Sequence, residues 1–341
     1  MVQPAAGAPV RTLAAAAMVA AAEEIADAVL FPAADAVDRA DRVPASHLDL
    51  FAERGFYGAT APAEAGGFDD LATVAQLVET LASGCLTTTF VWLQHLSVVR
   101  AVAASARPGM AQRWLAPLAH GQRRAGVALA GLRGGTDPLR VCPAEGGFRL
   151  DGVVPWVTGW DLVDTVYIAA LDDADVVHYL LVDAEAGPTV SLRPLELLAV
   201  SASRTVNLHL TGHGVPADRL VGTQPYPEWS RSDAPGSALN GFLALGVARR
   251  CARLLGPGPL DDALDRCRAA LLAADSITRP VARAAASELA LRAAAMLAVS
   301  TGSRAVLGGN PAQRLWREAG FLLVFGSRPA IRDELLTLLQ P

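Results

Sequence analysis

The sequence predicts an α+β protein in three parts: an N-terminal helical domain over residues 1–121, a central antiparallel β-barrel or sandwich over residues 122–222, and a C-terminal four-helix bundle over residues 223–341. Three observations carry this. The apolar period is helical up to about Gly121. It falls to two, with closely spaced Gly and Pro, from Ala125 to about Gly222, and is helical again from Ser237 onward. The length, 341 residues of which 52% are hydrophobic, suffices for a large core divided over two or three units.

Taking the elements in order, the alanine-rich run Leu13 to Ala22 continues into Ile25, Val29 and Leu30 at helical spacing. Arg11 precedes it, but Glu23 and Glu24 argue against a signal peptide, so the stretch reads as an amphipathic helix interrupted at Pro32. A second helix is expected from Pro44-Ala-Ser, with Ser46 capping it, Leu48, Leu50 and Phe51 as its apolar stripe and Gly55 ending it. Gly58 to Gly67 is too rich in Gly and Pro to be regular. Leu71–Leu81 and Thr87–Ala104 read as long helices buried on most sides. Strands are expected at Val127–Ala130, Phe148–Val153, Thr165–Leu171, Val176–Val182, Val190–Leu192 and Thr205–Leu210. Helices follow at Ser237–Leu255, Leu260–Ala274, Ile277–Ala305 and Pro311–Leu339, and their short connections suggest a bundle.

Composition narrows the function classes. The net charge is −5, and arginine supplies all 29 basic side chains, since the chain has no lysine. That balance argues against nucleic acid as a partner. Cys85, Cys142, Cys251 and Cys267 form no CxxC pair, which suggests neither zinc nor a disulfide framework and fits a reducing cytoplasm. No 18 uncharged apolar residues run together, so a membrane span is not indicated. The chain lacks a Gly-x-Ser-x-Gly elbow and a Walker sequence, and Gly302 to Gly308 lacks the strand a dinucleotide fingerprint requires.

The stretch most suggestive of chemistry is Leu150-Asp-Gly-Val-Val-Pro-Trp-Val-Thr-Gly159. On a regular strand Trp156 and Thr158 share a face. They would offer a flat apolar plate and a hydroxyl, the means to cover a planar heterocycle and bond its edge. The same pattern also describes an ordinary half-buried strand.

In its order of helical, β and helical parts around a Trp-x-Thr strand, the chain resembles the acyl-CoA dehydrogenase flavoproteins over nearly its whole length. Local stretches agree: Phe51-Ala-Glu-Arg-Gly-Phe-Tyr-Gly58 with Pro62 and Gly66-Gly67, Arg113 to Gly121, Trp156-Val-Thr158, Val215-Pro216 to Gly222, and Arg314-Leu-Trp-Arg-Glu-Ala319. The resemblance implies FAD, covered by Trp156 and bonded near N5 by Thr158, with Gly135, Thr136, Gly308 and Gly309 at the remaining cofactor-binding positions. It implies an acyl-CoA or similar small substrate, electron-transfer flavoprotein or oxygen as acceptor, and a homodimer or homotetramer.

Departures from the family pattern are as informative. Ala130-Gly-Leu-Arg-Gly-Gly-Thr-Asp137 stands where the family reads Thr-Glu-Pro-x-Ala-Gly-Ser-Asp, so the first Thr is Ala130 and one bond to the flavin is expected to be missing. Leu255-Gly-Pro-Gly-Pro259 replaces the Arg-x-x-Phe-Gly loop, and Gln-x-x-Gly-Gly survives only as Ala305-Val-Leu-Gly308-Gly309. The catalytic glutamate of Tyr-Glu-Gly-Thr is replaced in Val324-Phe-Gly-Ser327, and Phe325 accepts no proton. A second placement of that glutamate falls on Gly236-Ser-Ala-Leu-Asn240, also without a carboxylate. His95 and Glu318 are the candidate substitutes, although Glu318 reads better as the partner of Arg314 and His95 as a core histidine. His209 and His213 read as surface turn residues, and Ser327 and Arg328 as substrate contacts at most. Three functions follow: an FAD-dependent oxidoreductase on an acyl thioester or related small substrate with a non-standard or missing base, a flavin oxidase or monooxygenase on the same fold, or a non-catalytic partner subunit in a hetero-oligomer.

Overall fold

The computed structural model describes residues 8–340 except Asp69 and Gly134 to Thr136, with side chains from Ala14 onward. Gly135 and Thr136 therefore lie outside the described residues. The N-terminal part opens with α1 (Ala8–Ile25), a π-helical turn (Ala26–Leu30) and α2 (Phe31–Asp38). Pro32 does not interrupt the helical course, because it falls in the first turn of α2, where a missing amide donor costs little. Next come α3 (Ala45–Glu53), α4 (Leu71–Gly84), α5 (Leu86–Ala103) and α6 (Met110–Ala119). The cap of α3 is Pro44 and Ser46 lies inside the helix, so the expected serine cap is not made. Gly55, at φ 75°, ends that helix in the left-handed conformation. Asp70 caps α4 by accepting the Thr73 amide at 2.7 Å.

The middle of the chain builds one eight-stranded sheet from β1 (Ala125–Ala128), β2 (Arg140–Ala144), β3 (Gly147–Val157), β4 (Thr165–Leu171), β5 (Val176–Asp183), β6 (Val190–Pro194), β7 (Val206–Pro216) and β8 (Leu220–Pro225). The order is β6-β7-β3-β2-β4-β5-β8, with β1 on β4. The pairings are antiparallel except β1 with β4 and a single β2–β4 bridge, which are parallel. The sheet is thus mixed where an all-antiparallel one was expected. The β2–β3 hairpin intervenes between β1 and β4 and leaves those two strands running the same way. Neither β2 nor β8 was foreseen, since Arg140-Val-Cys-Pro-Ala144 and Leu220-Val-Gly-Thr-Gln-Pro225 carry too few apolar residues to alternate clearly.

The C-terminal part contains α7 (Tyr226–Asp233), α8 (Leu239–Leu255), α9 (Pro259–Ala273), α10 (Arg279–Thr301), α11 (Pro311–Val324) and α12 (Pro329–Leu338). The stretch read as one helix, Pro311–Leu339, is two. Gly326 at φ 61° turns the chain, and Pro329 keeps Arg328 extended. The main core is shared by N-terminal and C-terminal helices. Leu77, Leu81, Phe51 and Trp92 belong to the same buried cluster as Phe242, Leu245 and Leu289. A separate cluster including Leu150, Val154, Ile168 and Leu208 fills the sheet's inner face. By length and composition alone the Arg279–Val306 segment could cross a membrane. In the fold, however, α10 packs against α8, α9, α11 and α12.

Candidate functional site

The Trp156–Thr158 pair does not share a face. The β3–β7 register shifts between Val154 and Val157, and Trp156 sits at φ 60°. The bulge breaks the period of two. Trp156 is 57% exposed, whereas Thr158 is turned inward and 4% exposed. Asn207 accepts the Trp156 amide at 3.4 Å. A non-glycine residue held at positive φ is strained, and such strain clusters at ligand sites.

On the buried side of the strand, three hydroxyls form a chain. Thr158 Oγ1 lies 3.2 Å from Thr205 Oγ1, which lies 2.8 Å from Ser203 Oγ. Three hydroxyls joined by two hydrogen bonds leave one proton unused. When the bonds run from Ser203 through Thr205 to Thr158, that proton is Thr158's to donate. The exposed indole of Trp156 and the buried donor of Thr158 would meet a planar heterocycle such as a flavin ring from different sides of the bulge, and not from one shared face. Ala130 begins a 3-10 turn and brings no hydroxyl to it. Gly308 and Gly309 lie in the turn before α11, where a Cβ on Gly309 would come 3.8 Å from Asp35 Oδ2 of α2.

Phe325 caps α11, and its ring is packed edge-on against Phe90 of α5 at 4.8 Å and stacked on Phe321 at 5.3 Å. The ring thus closes an apolar seam between α5 and α11. Neither candidate substitute is available for proton transfer. The Nε2–H of His95 donates to the Leu118 carbonyl at 3.0 Å, and its Nδ1 accepts the Ala125 amide at 3.0 Å. Burial lowers its pKa to about 3, against the pull of the Leu118 carbonyl, so the ring is neutral and both nitrogens are engaged. Glu318 accepts from Arg314 at 2.8 Å, and both side chains are 2% exposed. Burial outweighs Arg314 and lifts the Glu318 carboxyl above the usual range.

Beside Phe325, Arg328 and Asn240 are joined by Arg133, Asp233 and Arg283, which sequence reasoning did not single out. Arg328 donates to Asp233 through Nε at 2.7 Å and Nη2 at 2.9 Å, and Arg133 donates to the same carboxylate at 3.1 Å. Burial alone would raise the Asp233 pKa, but the two guanidinium groups hold it below the usual carboxylate range. Arg328 is therefore occupied by a carboxylate of its own chain. Asn240 stands against the turn, since a Cβ on Gly326 would lie 2.4 Å from its Nδ2. Arg283, 1% exposed, donates to the carbonyls of Ser237 at 2.7 Å and Phe325 at 3.4 Å. Spacing alone could not have found these groups, because they converge from four distant segments.

A groove of about 400 Å³ opens nearby, lined among others by Ser97, Arg100, Leu129, Tyr167, Tyr179 and Asp233. The Tyr167 and Tyr179 rings are stacked at 5.4 Å. The groove connects α5, the sheet and the end of α7, and it ends at the Asp233 cluster.

Comparison with known proteins agrees with this architecture. Residues 12–122 match the family described as acyl-CoA dehydrogenase, N-terminal domain. The mitochondrial short-chain specific acyl-CoA dehydrogenase of Bos taurus is 25% identical over an alignment of 210 positions that covers 58% of this chain and 51% of that protein. The match thus spans about half the length of that curated relative. Butyryl-CoA dehydrogenase from Megasphaera elsdenii superposes with a TM-score of 0.81 at 14% identity, covering 96% of this chain and 98% of the other. The FAD complex of PigA superposes with a TM-score of 0.81 at 16% identity, covering 95% and 97%. Residues 12–122 thus match the N-terminal domain of the acyl-CoA dehydrogenases, and the chain throughout has the acyl-CoA dehydrogenase fold.

Proposed function

We propose that the protein is an FAD-dependent oxidoreductase acting on an acyl thioester or related small substrate, by chemistry that draws on no carboxylate at position 325. The observation that carries this reading is the Phe325 ring seated on Phe90 and Phe321 where the resemblance puts the proton-accepting group. Bound FAD would supply the two-electron acceptor. Trp156 would cover its ring, Thr158 would donate to its edge, and the turn at Gly135 and Thr136 with Gly308 and Gly309 would complete its binding. Residues 1–121, 122–222 and 223–341 serve as the three domains, in a homodimer or homotetramer. The four unpaired cysteines agree with a cytoplasmic location. Electron-transfer flavoprotein or oxygen would reoxidise the flavin.

A second reading, a flavin oxidase or monooxygenase, gains support from His95 and Glu318. Both are buried and engaged, and a reaction of oxygen with reduced flavin needs no α-proton removed. The experiment is anaerobic bleaching of the flavin by a panel of acyl-CoAs, for the natural chain and for Phe325→Glu. Slow or absent bleaching by the natural chain, raised in Phe325→Glu, is the expected result. Losing a general base costs ~10²–10⁴ in rate. Rapid bleaching by the natural chain would show that another residue is the base. A purified protein that binds no flavin would leave the non-catalytic partner subunit as the reading.

A further inference from the structure

Four guanidinium groups surround the Asp233–Ser237 and Phe325–Arg328 segments. Arg133 and Arg328 share Asp233. Arg279 and Arg283, one turn apart at the start of α10, make no ion pair among the described residues. Arg279 donates to the Gly236 carbonyl at 3.4 Å, and Arg283 donates to the carbonyls of Ser237 and Phe325. The Nε atoms of both are buried without a hydrogen-bond partner. The acids facing the group are Asp233 and the exposed Asp275, whose carboxylate is taken up by the Ile277 and Thr278 amides.

This arrangement is unfavourable as it stands. Like charges four residues apart on a helix repel, and two cations at a helix N-terminus oppose its dipole. An unpaired cation as buried as Arg283 carries a desolvation cost that two carbonyls only partly offset. Carbonyl bonding explains two of the five N–H groups of Arg283 and leaves the buried Nε unexplained. An anion bound here would offset all of these terms.

We propose that Arg279 and Arg283 form an anion site under the Gly236 and Gly326 turns, and that the group it takes is a carboxylate carried by the substrate; the last clause rests on the function proposed above. Both turns are glycines at positive φ, 69° and 61°, and both are partly exposed. They are the covering layer between the Arg283 guanidinium and solvent. A Cβ on Gly236 would lie 3.5 Å from Arg283 Nη1 and 3.0 Å from Ile331 Cδ1, so the turn lies directly over the guanidinium and an anion reaches it by displacing the turn. The planar fork of a guanidinium matches a carboxylate in two parallel bonds. Phe325 shares this region, so a substrate carboxylate here would hold the acyl chain against the apolar seam.

The test is thermal denaturation of the full chain titrated with sodium malonate, with sodium phosphate and sodium chloride at matched ionic strength as comparisons. Flavin content is read from the visible spectrum of the same samples. Malonate is expected to raise the melting temperature saturably, beyond chloride and phosphate. Arg283→Met is expected to bind malonate about tenfold more weakly or worse, the loss of one charge-assisted bond pair. Arg283→Met also removes an unpaired buried charge, so its melting point without anion should be equal or higher; should it not fold, Arg279→Met, altering a partly exposed side chain, provides the same comparison. No saturable rise, or an equal rise in the variant, overturns the site. An equal or larger rise with phosphate overturns its assignment to a carboxylate. Malonate binding by a protein that holds no flavin would uphold the anion site while removing the flavin reading. Bound flavin with indifference to malonate would do the reverse.

Discussion

At the scale of single residues, the buried polar groups make sharper statements than the apolar ones. His95 keeps its pKa near 3 through burial, against 6.5 for an exposed histidine. Between those values the unfolded chain takes up a proton that the folded chain refuses. The contribution is therefore fully present above about pH 6.5 and lost as pH falls towards 3. His47, also lowered by burial, adds to it with the same sign. Replacing His95 by Gln keeps a donor and an acceptor but removes the titration. Urea unfolding at pH 7, 5.5 and 4 is expected to show His95→Gln losing less stability on acidification than the natural chain, by ~1–3 kcal/mol. Equal losses would contradict the burial argument. The Arg314–Glu318 pair gives a second expectation. Arg314→Met leaves a buried carboxylate alone and should cost ~3–5 kcal/mol in the same assay at pH 7. Adding Glu318→Leu should restore most of it, because an apolar pair replaces a buried ionic one at small net cost.

At the scale of elements, close approach between helices fixes the frame that carries the site. Gly246 of α8 meets α4, where a Cβ would lie 2.5 Å from Ala82 Cβ and 2.6 Å from the Glu79 carbonyl. Alanine is favoured over glycine in a helix interior by ~1 kcal/mol, but overpacking at these distances costs ~1–3 kcal/mol or more. Gly246→Ala is therefore expected to lower the melting temperature, and a rise would show that the two helices can part without penalty. Two arginines of α8 brace the same contact. Arg249 donates to Thr80 at 2.7 Å, and Arg250 to the Ser83 carbonyl at 2.6 Å and to Asp27 at 2.7 Å. The α11–α12 break belongs to this scale as well. Ending α11 at Phe325 lets its carbonyl face Arg283 and its ring face Phe90, which a continuous helix through residue 328 could not do.

For the whole molecule, the C-terminal helices leave apolar side chains outside the core. Val281, Met296 and Val299 of α10, Val306 and Leu307 beyond it, and Trp316 and Val324 of α11 are all exposed. Exposed apolar side chains, where they join into a large patch, are characteristic of interfaces. The expected outcome of sedimentation at micromolar concentration is a dimer or larger, and Val299→Glu should weaken the association by about tenfold or more through a desolvated charge. A monomeric mass for the natural chain would count against association through these helices.

The sequence by itself determined the order of the parts and most of the elements, because hydrophobic period is a local property that survives in any packing. By resemblance alone it set Trp156 and Thr158 against the Trp-x-Thr strand of the family pattern and Phe325 against its usual glutamate. Tertiary structure decided what those residues face. A bulge paired across β7 turned Trp156 out and Thr158 in, and no pattern within Pro155 to Thr158 encodes the partner strand's register. Two hydrogen bonds from elsewhere in the chain occupied His95, and a helix turn of its own occupied Glu318. The convergence of Arg133, Arg279, Arg283 and Arg328 draws on segments up to 195 residues apart in sequence. Charge so assembled has no periodicity to read, because electrostatic environment depends on distances through space and on water excluded by the fold.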